Sequence, residues 1–202
     1  MSEIQSNTTR DGQGVSRRTV VRNVMWTTPV VVAATAAPAY AASPSEELGL
    51  QGWVSVAKSC SSTTQGSVVT IDATSGRYPD RGLWVIGGDG DSTVTSASLT
   101  VYLSSSLGTI PWSARAGNTG WSVPVVDASA PRRAGYTAYT TRYSGTWRHD
   151  PANNVLLSVG QPRFSGRLPS YTACAQDLSV YSYRKATVDG RTYEIRRGPV
   201  YI

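Results

Sequence analysis

The chain has 202 residues, with 19 Lys+Arg against 13 Asp+Glu for a net charge of +6; only 16% of it is charged, and 9% is aromatic. That length suits a single domain with its own core, the aromatic and β-branched content excludes a disordered chain, and the mild basic bias is too small to mark a nucleic-acid binder. One histidine, with two cysteines expected to be oxidised to each other, cannot supply the usual zinc ligand sets, and no metal or other cofactor is expected.

The chain opens with a polar lead, then Ser16-Arg17-Arg18-Thr19-Val20-Val21-Arg22, an uncharged stretch over 23–42, and the small-x-small triplet Ala39-Tyr40-Ala41. This is the three-part layout of an export leader. The apolar part is diluted by Thr27, Thr28, Pro29, Thr35 and Pro38, whereas a spanning helix wants about 20 predominantly apolar residues and tolerates proline poorly. The segment resembles twin-arginine signal peptides, with Arg17 and Arg18 as the paired arginines. That resemblance implies contact with the twin-arginine export machinery, cleavage after Ala41, export of a folded domain and no membrane span thereafter. The expected organisation is a leader over 1–41, a linker over 42–51 and one domain over 52–202, secreted or held at the cell envelope.

Short β-rich runs follow at 53–60, 67–72 and 83–86, separated by turn-forming residues. In 94–103 the alternation places Ala97, Leu99, Val101 and Leu103 on one face and Ser96, Ser98 and Thr100 on the other, the pattern of a half-buried strand. The stretch 104–135, rich in Gly, Pro and Ser, reads as loop-heavy and thus as a place for a binding surface. Further strands are expected at 121–126, 136–143, 155–159 and 178–185. The sharpest local signal is Ala186-Thr187-Val188, Asp189-Gly190, then 191–195, a hairpin whose Asp-Gly supplies the positive φ angles of a type I′ turn. No run of eleven residues past Ala42 has a helical period. The expected fold is all-β, a two-sheet antiparallel sandwich of immunoglobulin-like kind, with a jelly roll as the rival. Cys60 and Cys174, an even pair in an exported chain, are expected to form a disulfide joining an early strand to a late one. A domain that folds before export should keep its fold without that bond.

Candidate chemistry is sparse. His149, within Trp147-Arg148-His149-Asp150-Pro151, lacks a G-x-S-x-G partner for hydrolysis and reads as a solvated loop residue. Asp89-Gly90-Asp91 lacks the ligand pattern of an EF-hand and reads as a turn. Glu194 and Asp72 are the carboxylates nearest to strands, but nothing pairs them across a cleft as a glycosidase needs. Trp53 and Trp84 fall in apolar runs and are expected inside. Trp112 and Trp121 flank 113–120, a loop, and are the candidates for exposed rings that contact a ligand. The pairs Arg132-Arg133, Arg184-Lys185 and Arg196-Arg197 are diluted as a patch because neighbours on a strand point oppositely. The expected function is therefore that of a non-catalytic exported binding or structural module. Its partner would be an envelope polymer, a carbohydrate or another surface protein; carbohydrate binding through tryptophan and a secreted hydrolase are the alternatives.

Overall fold

In a computed structural model the described residues are 47–62, 66–73 and 82–202. Arg17, Arg18 and the cleavage site at Ala41 lie outside them. Thirteen strands are seen among the described residues: β1 (Gly49–Gln51), β2 (Ser55–Ser59), β3 (Val68–Asp72), β4 (Trp84–Ile86), β5 (Val94–Ser104), β6 (Trp112–Ala114), β7 (Val125–Val126), β8 (Tyr136–Tyr143), β9 (Trp147–Asp150), β10 (Val155–Ser158), β11 (Arg163–Arg167), β12 (Ser179–Val188) and β13 (Arg191–Tyr201). One short helix, α1 (Tyr171–Ala175), interrupts them. β1 brings Gly49–Gln51 into the domain, residues that composition alone leaves in the linker.

All pairings between these strands are antiparallel, and they form three sheets in the orders β1-β4-β10-β9, β2-β3-β11-β6 and β13-β12-β5-β8-β7. The all-β sandwich expected from the strand spacing is present, its strands shared among three sheets. One core joins them. Leu99, Val101 and Leu103 of β5, Tyr139 of β8 and Val180, Ala186 and Val188 of β12 face Val69, Ile71, Val85, Leu156 and Phe164 of the two four-stranded sheets. Each valine, leucine, isoleucine or phenylalanine among them, fully buried, contributes about 1.5–3 kcal/mol.

The alternation in β5 holds residue by residue: Ala97, Leu99, Val101 and Leu103 are buried, while Ser96, Ser98 and Thr100 face out. The Asp189-Gly190 turn has both φ angles positive, 48° and 77°, and sets the register Val188↔Arg191 from which β12 and β13 zip. The strands β6, β9 and β11 were not legible, because each is only three to five residues long and carries Gly or polar residues.

Cys60 and Cys174 are bonded, with Cα atoms 5.5 Å apart across a sequence separation of 114. The first cysteine falls one residue past the end of β2 rather than within the strand, and the second sits on α1 rather than on a strand. That single turn of helix starts at Ser170, whose Oγ accepts a hydrogen bond from the Ala173 amide at 3.0 Å. The Lys58 ammonium donates to the Gln176 carbonyl, a second tie between β2 and the segment around Cys174. Among the described residues no helix is long and apolar enough to cross a membrane. A disulfide and the lack of such a helix are compatible with an exported protein.

Candidate functional site

The tryptophans expected at the surface are inside. Trp112 is 9% exposed and Trp121 4%. Trp112 lies on β6 opposite Gly166, where a Cβ would come within 2.9 Å of its ring, and meets Tyr139 edge-on at 5.8 Å. Trp121 donates its indole N–H to the Gly160 carbonyl at 2.9 Å and packs on Tyr143 at 5.1 Å. Segment 113–120 does run on the surface, but its flanking rings turn inward because burying a large aromatic gains more than exposing it. The opposite correction applies to Trp53, which is 42% exposed. Gly52, at φ 93°, breaks the run before β2 begins at Ser55, so the alternation does not carry Trp53 inward.

His149 is not a loop residue: it lies on β9, paired with Leu156 and partly buried, and its Nε2 is enclosed without a hydrogen-bond partner. Asp89 makes a turn. Its Oδ1 accepts from the amides of Asp91 and Ser92 at 3.0 and 2.9 Å and from the Ser92 hydroxyl at 3.0 Å, and these bonds, the Ser92 side chain first, hold its carboxyl below the usual range. Among the described residues no three His, Cys, Asp or Glu side chains converge as a metal site would require. Asp72 on β3 is tied to Arg163 at 3.1 Å and faces Arg115 at 3.8 Å.

The surface with the most organised chemistry is the outer face of the five-stranded sheet. Register places Ser98 of β5 between Lys185 of β12 and Arg142 of β8. With strands about 4.8 Å apart, the two cations flank the serine at roughly 10 Å between Cα atoms. Each is backed by a carboxylate on its far side: Lys185 by Glu194 of β13 at 3.6 Å and Arg142 by Asp127 at 3.5 Å. One row along, Thr100 and Thr140 share a 2.8 Å hydroxyl–hydroxyl bond. A row the other way, Ser96, Thr187 and Thr192 are linked by two bonds of 3.0 Å.

The segment 127–135 folds back over one end of this face and makes it a groove of about 270 Å³. It is pinned from both ends: the Asp127 amide donates to the Ala138 carbonyl at 2.9 Å, the Tyr102 hydroxyl donates to the Pro131 carbonyl at 2.9 Å, and the Arg133 guanidinium lies 3.4 Å from the centre of the Tyr181 ring. An aromatic floor supports it, with Tyr102 on Tyr183 at 4.7 Å, Tyr136 on Tyr181 at 5.3 Å and Arg196 over Tyr183 at 5.0 Å. Burial pushes the Tyr102 hydroxyl upward, so it stays a neutral donor to Pro131.

Both groove carboxylates are held ionised. A hydrogen bond from Ser129 leads the causes that lower Asp127, and one from Arg196 leads those that lower Glu194. A glycosidic general acid needs the reverse, a raised carboxyl that still carries its proton. The groove can therefore accept and donate hydrogen bonds and present fixed charge, but neither carboxyl is set to deliver a proton. Sequence reasoning named Glu194 and the polar face of β5 but not the site. The signal was the alternation that puts Tyr181, Tyr183 and Lys185 on the same side as Ser98 and Thr100; what was missing was the pairing of β12 and β8 on either side of β5. Compared with known proteins, the chain matches no family model, no curated protein and no solved structure.

Proposed function

We propose that the chain is exported by way of its twin-arginine leader and acts outside the cytoplasm as a non-catalytic module. In this reading it binds an anionic, hydroxyl-rich polymer in the groove on the five-stranded sheet. The observation that carries it is the juxtaposition of Lys185 and Arg142 about Ser98, each fixed by a carboxylate that stays ionised. Between them a carboxylate or phosphate group of the ligand would meet two cations and a hydroxyl, while the threonine hydroxyls of the adjoining rows offer partners for sugar hydroxyls. The disulfide supports residence outside the reducing cytoplasm. Sugar stacking through Trp112 or Trp121 is not part of the proposal, since both rings are buried.

Binding of polygalacturonate, with neutral dextran as control, tests the reading by titration calorimetry. Polygalacturonate should bind and dextran should not, with affinity falling as salt rises. Lys185→Ala with Arg142→Ala should weaken binding about tenfold or more, on the scale of ~1.4 kcal/mol. Arg148→Ala, an exposed arginine on β9 away from the groove, should leave it unchanged. Equal loss on Arg148→Ala would mean diffuse charge attraction, and no binding to either polymer would remove the proposal.

A further inference from the structure

Among the described residues, the longest exposed backbone edge belongs to β13. It pairs with β12 on one side, and among the described residues no strand pairs with its other side. Of its eleven residues only Tyr193 and Ile195 are half-buried and the rest are exposed. Such an edge offers a row of unpaired amides and carbonyls to an added strand.

The side chains along that edge select the occupant. A second copy can extend the sheet only antiparallel about a two-fold axis normal to it, because side chains opposite one another in an antiparallel pair share a face. One residue must then face itself. Centring on Glu194 opposes two carboxylates and Arg191 to Arg197; centring on Arg196 or Arg197 opposes two guanidinium groups. Centring on Ile195 opposes no like charges. It sets Glu194 against Arg196 of the second copy, twice, on the groove side. On the core side it sets Tyr193 against Arg197 of the second copy, again twice, with Ile195 against itself between them.

Within one chain Glu194 already pairs with Arg196 two residues on, so the dimer would close a ring of four alternating charges. The Tyr193 hydroxyl is buried without a hydrogen-bond partner among the described residues and would come opposite a guanidinium donor. Regular overlap runs from Tyr193 to Arg197, because the register of β13 on β12 shifts at Gly198 and Pro199, and Pro199 lacks an amide hydrogen.

We infer that β13 is a homodimer edge, pairing with β13 of a second copy in the register centred on Ile195. Centring on Tyr193 opposes no like charges either, but it sets Glu194 against Thr192 and gains no ion pair between the two β13 strands, and registers centred beyond Arg197 fall on the irregularity opposite Tyr181. The Ile195 register alone gains two such pairs, and its two-fold makes a closed pair rather than an open stack. A two-fold normal to the sheet leaves both outer faces on the same side, so the two grooves would open in one direction.

Sedimentation equilibrium of the purified chain should give a reversible dimer. Glu194→Arg should raise its dissociation constant at least tenfold, Arg196→Glu should do likewise, and the double exchange should recover most of the loss. Circular dichroism should show each variant folded, as expected for exposed side chains. Ile195→Cys should form a disulfide-linked dimer on mild oxidation, whereas Arg197→Cys alone, facing Tyr193 of the second copy, should not. A monomer at every concentration, or cross-linking through Arg197→Cys as readily as through Ile195→Cys, would overturn the inference.

Discussion

Arg184 is the residue at greatest odds with its surroundings. It lies on the core side of β12, 1% exposed, beside Leu99 and Ile195 in register. Its Nη1 donates to the Gly82 carbonyl at 3.3 Å, while Nε and Nη2 have no hydrogen-bond partner among the described residues. Burial and then the charge of Arg197 push it down to about 9, the direction expected of a cation removed from water with no counter-charge beside it among the described residues. Exchanging a buried ion pair or triad for well-packed apolar residues is often neutral or stabilising by about 1–4 kcal/mol, and a guanidinium with one hydrogen bond has less to offset its desolvation than such a pair. Arg184→Met should therefore raise the melting temperature by several degrees; a lower one would show that the guanidinium is compensated. Asp127 gives a prediction of the opposite kind. Its folded-state carboxyl is lowered, chiefly by Ser129, so its contribution to stability is present above the ordinary carboxylate range and disappears only as pH falls through the lowered value. Asp127→Asn should melt below the wild type at neutral pH, and the two curves should converge in strong acid. A gap that persists in acid would mean that Asp127 acts through packing rather than charge.

Among the elements, those with strong local signals were readable and those defined by their neighbours were not. β5 carried an unbroken alternation, β8 a run of tyrosine and threonine, and the β12–β13 hairpin its Asp-Gly turn; each appears where its residues put it. Strand β9 was hidden because it carries three polar residues and runs straight into Asp150-Pro151-Ala152-Asn153, whose turn composition masks the strand before it; its pairing with β10 is what defines it. β11 was hidden because Gly166 depresses strand propensity locally, yet that glycine is what admits Ile110 and Trp112. The helix holding Cys174 is too short for any period. The cysteine pair itself was legible from compartment and number. Its loop is long enough for the chain-entropy model to give about 4–5 kcal/mol as an upper figure. Replacing both cysteines by serine should lower stability by up to that amount in denaturant titration while leaving the far-ultraviolet spectrum of a β protein. Loss of that spectrum would mean that the domain cannot fold before the bond forms, against export in a folded state.

At the scale of the molecule, the class of fold followed from strand spacing, but the sharing of strands among three sheets and the position of the groove did not. A groove arises where residues from β5, β8, β12, β13 and the 127–135 segment meet, and their sequence separations, Ser98 to Glu194 for instance, leave no local trace. The tryptophans misled for the same reason, since burial is decided by what packs across the core. In the proposed reading, binding is carried by charge and hydroxyl geometry on one face. Mapping amide chemical-shift changes across the protein during titration with oligogalacturonate tests this most directly. Changes should cluster at Ser98, Thr100, Thr140, Arg142 and Lys185; changes scattered over the surface, or gathered on the β9 face around Arg148, would contradict it.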